Sequence, residues 1–110
     1  MAMDLFLETT SQETEHRVVL GGDIDAHTGP KVKETLMSLA NEPGTSHLLV
    51  DLEAVEYMDS TGIGIFIAVM KACKQKECAF EVQKLSPRVE RLFRITGLYE
   101  HIAIRKGESE

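Results

Sequence analysis

The stretch EYMDSTGIGIFIAV, Glu56 to Val69, sets an aspartate, a serine, a threonine and two glycines directly before an apolar run. Small polar residues followed by unbroken hydrophobics read as a helix start, because an Asp or Ser oxygen can accept hydrogen bonds from the unpaired N–H groups of a first turn. The helix is expected from Thr61 to about Lys76. Its first half is apolar nearly all round, hence largely buried, and its end, KACKQKE, is polar and basic. Just upstream, HLLVDL is a continuous apolar run ending in a charge, the pattern of a strand buried on both faces and covered by helices. The segment EAVEYMD between them reads as a short loop. A buried strand feeding a buried helix points to the α/β class.

Outward from this unit, DLFLET and RVVLGG read as a hairpin of two short strands separated by the polar loop TTSQETEH. In GGDIDAHTGPKVKETLMSLANEPG, Thr28 can cap and Pro30 suits a first turn. Val32, Leu36, Leu39 and Ala40 recur at helical spacing, and Asn41, Pro43 and Gly44 end the helix. AFEVQ alternates like a strand. SPRVERLFRITGLYEH gives a third helix with Ser86 as N-cap, Pro87 at the first position and Gly97 as the stop; IAIR is a last strand and residues 106–110 a frayed tail. The expectation is a single small α/β domain over residues 1–110, with a mixed β-sheet and helices packed against it. Functional loops gather at the carboxyl ends of parallel strands, so GDIDAHTGP and YMDSTGIG should lie side by side on one edge.

The 110 residues suffice for one domain with a modest core. The N-terminus lacks a basic segment followed by a long apolar one, and the longest apolar stretch, Ile63 to Met70, is too short to span a bilayer, so a cytoplasmic protein without membrane contact is expected. Because the chain ends soon after the domain, a fused transporter or sensor is not expected. Cys73 and Cys78 have no second pair and no histidine at ligand spacing, which reads as two reduced thiols rather than a metal site or disulfide framework. The net charge of −6 argues against nucleic acid as a partner. That charge is uneven: residues 1–66 carry a balance of −9 and residues 67–110 a balance of +3. A partner of the first half would favour a basic rim.

Four readings of DSTGIG compete. Asp59 or Ser60 can be an N-cap, but capping leaves Gly62 and Gly64 unexplained, since each costs up to about 1 kcal/mol in a helix. Nucleotide binding lacks the third glycine of G-x-G-x-x-G and the Gly-Lys of a P-loop. Ser60 as a nucleophile lies outside G-x-S-x-G, and no base and orienting acid can be assembled around it, although His27 could share its edge. As a phosphorylation site Ser60 is well placed, because a dianion meets free N–H groups and the positive end of the helix dipole. About two negative charges would then join Asp23, Asp25, Glu56 and Asp59, and a docked partner would lose its fit.

VDLEAVEYMDSTGIGIFI, with GGDIDAHTGPKVKETL before it and LSPRVERLFRITGLYEHI after it, resembles the anti-sigma factor antagonists of the STAS domain family, most nearly their general-stress members, from about Val18 to Ile104. The resemblance implies a non-enzymatic, cofactor-free partner switch. The unmodified antagonist binds an anti-sigma factor that is also a serine kinase and frees the sigma factor. Phosphorylation ends that binding, and a PP2C-type phosphatase restores it. Carried onto this chain, the phosphoacceptor is Ser60. The partner-binding set is Asp23, Asp25, His27 and Thr28 of the first loop with Met58, Asp59, Thr61, Gly62, Ile63 and Gly64 of the second. Gly62 and Gly64 would leave room for a kinase loop, and Met58 and Ile63 would offer apolar contacts. Asp23 stands where Glu is usual, and Gly29, where Ala is usual, leaves open how firmly the first helix begins. A STAS scaffold or ligand-binding module without a serine switch is the alternative. Arg88, Arg91 and Arg94 form a stripe at spacings of three, readable either as a partner surface or as a solvated face.

Overall fold

The computed structural model describes residues 5–105. Within them the order is β1 (Leu5–Gln12), β2 (Glu15–Ile24), α1 (Gly29–Asn41), β3 (His47–Met58), α2 (Ser60–Gln75), β4 (Ala79–Gln83), α3 (Pro87–Thr96), a 3-10 turn (Leu98–Glu100) and β5 (Ala103–Arg105). The tail expected at residues 106–110 lies outside the described residues. The strands form one mixed sheet in sequence order, with β1 antiparallel to β2 and each later neighbour parallel.

Three strands run further than their composition suggests. The hairpin loop is only Glu13 and Thr14: Thr9 to Gln12 and Glu15 to Val18 are in register, and Glu13 takes the positive φ of 56° that so tight a turn needs. EAVEYM is likewise strand rather than loop. It pairs with β2 through two register shifts, between Val19 and Gly21 and between Gly22 and Asp23, which break the alternation that would have revealed it. Gly21 is required there, since a Cβ would stand 2.9 Å from that of Ala54. β4 pairs with β3 only as far as Asp51, so β2 and β3 run on together past it. The loops after them are carried out beyond the ends of β4 and β5.

Because the parallel strands advance in one direction and their crossovers are right-handed, α1, α2 and α3 share one face of the sheet. Val18, Leu20, Leu48, Val50, Leu52, Phe80 and Val82 point into that face. Phe66 of α2 ties the layers, with its ring centroid 6.2 Å from Phe80 on β4 and 6.0 Å from Phe93 on α3. The expected helical cover on both sides of β3 is therefore half right. On the helix-free face polar side chains do the covering: Asp51, 4% exposed, accepts from Arg17 and Gln83 and from the N–H of Glu53. Burial pushes its carboxyl up, but those donors and Lys84 together hold it below the usual carboxylate value. Beside it Glu81 bonds His47 and, at 2.7 Å, Arg105.

α3 follows its sequence signals: Ser86 Oγ accepts from Val89 N–H, Pro87 opens the helix, and Gly97 closes it at φ 84°. Both cysteines are free and buried; burial first, and then neighbouring Cys78, pushes the Cys73 thiol up to about 12. Among the described residues no helix is long and apolar enough to cross a membrane.

Candidate partner-binding site

β2 ends at Ile24 and β3 at Met58, and these two residues are in register. The N–H of Asp59 donates to the carbonyl of Ile24 at 3.2 Å, fastening the two following loops together. The shared edge expected for GDIDAHTGP and YMDSTGIG is thus formed.

In the first loop, Asp25 Oδ1 accepts from the N–H groups of His27 (2.9 Å) and Thr28 (3.1 Å). The Thr28 N–H, with the His27 N–H adding to it, holds the Asp25 carboxyl below its ordinary value against a smaller opposing effect of desolvation. Thr28 precedes α1 but does not cap it with its side chain. Its hydroxyl instead donates to the carbonyl of Asp23 at 2.7 Å and accepts from the N–H of Asp25, so Thr28 is buried as the loop's internal brace. Gly29 then begins α1, and a Cβ added there would lie 3.0 Å from both Thr61 Cγ2 and Ile65 Cδ1. Glycine at that position lets the starts of α1 and α2 abut.

In the second loop Asp59, not Ser60, is the N-cap: its Oδ1 accepts from the N–H of Thr61 at 2.8 Å. Ser60 is the first residue of α2, exposed, with no hydrogen bond from its hydroxyl among the described residues. Thr61 is half-buried with its methyl toward Gly29. The N–H groups of Gly62 and Ile63 reach the carbonyl of Asp59. The first-turn N–H groups from Thr61 to Ile63 are therefore taken, and a dianion on Ser60 would be steadied by the helix dipole while projecting outward.

The two glycines have different reasons. A Cβ on Gly62 would fall 2.5 Å from Met58 Cγ and 3.1 Å from Ile24 Cγ2, so Gly62 permits close packing inside the domain. Gly64 is exposed and nothing lies within 4 Å of where its Cβ would stand. Only Gly64 leaves external room. Met58 and Ile63 are each 5% exposed and support the loop from below instead of offering a surface.

Sequence reasoning passed over a groove of about 470 Å³ between α1 and α2, lined by Ala26, Gly29, Pro30, Lys33, Thr61, Gly64 and Ile65. Helical spacing could have found it, since Lys33 lies four residues after Gly29, and Gly64 and Ile65 three and four after Thr61. It also passed over Tyr57, 43% exposed and in register with Asp23. Asp23, Asp25 and Asp59 are half-buried while Glu56 and His27 are exposed, so the rim is acidic. Among the described residues no group of three or more His, Cys, Asp or Glu could hold a metal ion.

Residues 7–110 match the model of the STAS domain. The chain is 39% identical over 105 residues to the anti-sigma-B factor antagonist of Staphylococcus aureus (strain NCTC 8325 / PS 47), covering 96% of each. It is 40% identical over 109 residues to that of Listeria monocytogenes serovar 1/2a (strain ATCC BAA-679 / EGD-e), covering 98% of this chain and 95% of the relative. Among solved structures, the anti-sigma factor antagonist SpoIIAA superposes in its unphosphorylated form with a TM-score of 0.79 at 18% identity, over 96% of this chain and 89% of that one. The phosphorylated form of Bacillus SpoIIAA does so with a TM-score of 0.74 at 17% identity, over 96% and 92%.

Proposed function

This chain belongs to the STAS domain family, and we propose that it is an anti-sigma factor antagonist whose binding is switched by a phosphate on Ser60. In its unmodified form it binds, in the cytoplasm, an anti-sigma factor that is also a serine kinase, and thereby releases the sigma factor. The kinase transfers phosphate to Ser60, binding ends, and a PP2C-type phosphatase restores the hydroxyl. No catalysis by the chain itself is required.

The observation that carries this reading is the contrast between neighbours in DSTG. Ser60 offers an exposed, uncommitted hydroxyl on the first turn of α2, while Asp59 is committed to capping and Thr61 is turned toward Gly29. The relatives named for anti-sigma-B antagonism support the partner class. Electrostatics supply the switch: about two negative charges are added to a rim already carrying Asp23, Asp25, Glu56 and Asp59, where no first-turn N–H from Thr61 to Ile63 is left to absorb them. Surface contacts then come from Asp23, Asp25, Tyr57 and Gly64, with Thr28, Met58, Gly62 and Ile63 holding the loops that present them.

Incubation with ATP and the cognate kinase, followed by phosphopeptide mapping, tests the reading. Phosphate confined to Ser60 and loss of kinase affinity are expected. Phosphate mainly on Thr61 or outside DSTG, or undiminished affinity after modification, overturns it. The α1–α2 groove favours one other reading, a ligand-binding module without a serine switch, which predicts no phosphate incorporation at all.

A further inference from the structure

The basic stripe foreseen on the third helix resolves into two unlike ridges. Arg94 is committed: it pairs with Glu90 one turn back, at 2.9 Å, and its guanidinium carbon stands 3.9 Å above the ring centroid of Tyr99. Arg17 and Arg105 are committed too, to Asp51 and Glu81. Arg88 and Arg91 are exposed and make no ion pair or hydrogen bond among the described residues. With Ile95 they stand at i, i+3 and i+7, which places all three on one ridge of α3. Ile95 is 74% exposed, far more than Phe6 or Tyr57, the other exposed large hydrophobics among the described residues. The opposite side of the helix is buried through Val89 and Phe93, so the ridge is held on a fixed support. A shallow depression lined by Leu85, Pro87, Glu90, Arg91 and Arg94 runs beside it.

We propose that this ridge is a second docking surface, separate from the Ser60 edge, for an acidic protein segment that presents an apolar side chain beside its carboxylates. Two unpaired guanidiniums on a rigid helix are suited to bidentate contact with carboxylates. Ile95 supplies the apolar anchor that converts charge attraction into a seated contact. A local acidic segment fits better than a polyanion or a lipid surface. The whole chain carries a net charge of −6, which repels extended anionic surfaces, and one isoleucine on a narrow ridge gives too little area for a bilayer to bury. The proposal is independent of phosphorylation at Ser60.

The full chain, isotopically labelled, is titrated with a synthetic peptide of alternating glutamate and leucine while amide chemical shifts are followed. Saturable shifts centred on Arg88, Arg91 and Ile95 are expected. Arg88→Glu with Arg91→Glu should weaken binding at least about tenfold and Ile95→Ala about threefold. Arg88→Gln with Arg91→Gln serves as the charge-neutral pair should the reversal disturb folding. Absence of saturable shifts, equal binding of a lysine–leucine peptide, or shifts centred on the Ser60 edge overturns the proposal. So does preferential binding to phosphatidylglycerol vesicles or to single-stranded DNA, which assigns the ridge to another class of partner.

Discussion

α2 and α3 both begin at a serine, and the two serines do opposite things. Ser86 sits one residue before its helix, where its Oγ accepts from Val89 N–H and is consumed in starting α3. Ser60 sits one residue inside its helix, where Asp59 has already taken the capping role and the hydroxyl is left to the outside. A shift of one position along the chain separates a structural hydroxyl from an available one. The surroundings differ in the same sense: α3 starts with Pro87, stiff and closed, while α2 starts on the projecting ends of β2 and β3 beside the Gly29 junction.

The contrast is tested most strongly by charge. Ser60→Asp should weaken kinase binding by about a hundredfold, read by titration calorimetry, with a thermal midpoint close to that of the parent, because a carboxylate in a first turn suits the helix dipole. Ser60→Ala should bind without responding to ATP. A large fall in the Ser60→Asp midpoint would mean that the switch works by unfolding.

The two glycines sharpen the same division between inside and outside. Gly62→Ala should cost about 1–3 kcal/mol in urea denaturation, because the added carbon collides with Met58 in a packed interior. Gly64→Ala should leave stability unchanged or raise it by up to about 1 kcal/mol through helix propensity. Equal losses at both would erase the distinction.

A smaller effect separates the serines by stability alone. Ser86→Ala should cost about 1 kcal/mol, the usual loss of a cap, whereas Ser60→Ala should stay within about 0.5 kcal/mol of the parent. Comparable losses would show the Ser60 hydroxyl to be structural.

The smallest is a pH response confined to one edge. Asp25 has its carboxyl lowered from 3.8 in the fold, so its hold on the first loop is fully present above that value and is lost as pH falls through the depressed one. The amide resonances of His27 and Thr28 should move in that acid range, and those of Val89, held by a neutral hydroxyl, should not. Asp25→Asn should remove the response; its persistence would assign it to another group.

How much of this could be read beforehand varies by element for physical reasons. α3 was legible to the residue, because Ser86, Pro87 and Gly97 each satisfy a local backbone requirement. AFEVQ was equally plain. EAVEYM was misread since two register shifts erase its alternation, and the hairpin loop was overestimated because its strand ends are exposed and therefore polar. Within the site, the order of strands and helices foretold that GDIDAHTGP and YMDSTGIG share an edge, but sequence gives Gly62 and Gly64 the same appearance. Which one faces Met58 and which one open space depends on how α2 is rotated over the sheet. Asp25 likewise displays a carboxylate in sequence, while the fold spends part of it on two backbone N–H groups of its own loop.

The buried thiol of Cys73 has its own consequence for how such a molecule endures chemical insult. With its ionisation pushed up to about 12, Cys73 stays overwhelmingly a protonated thiol at neutral pH. Peroxide and alkylating agents act through the thiolate, so this sulfur stays out of their reach while the domain is folded. Incorporation of iodoacetamide at Cys73 would therefore report transient opening of the α2 carboxyl end, a clock for local unfolding carried within the chain.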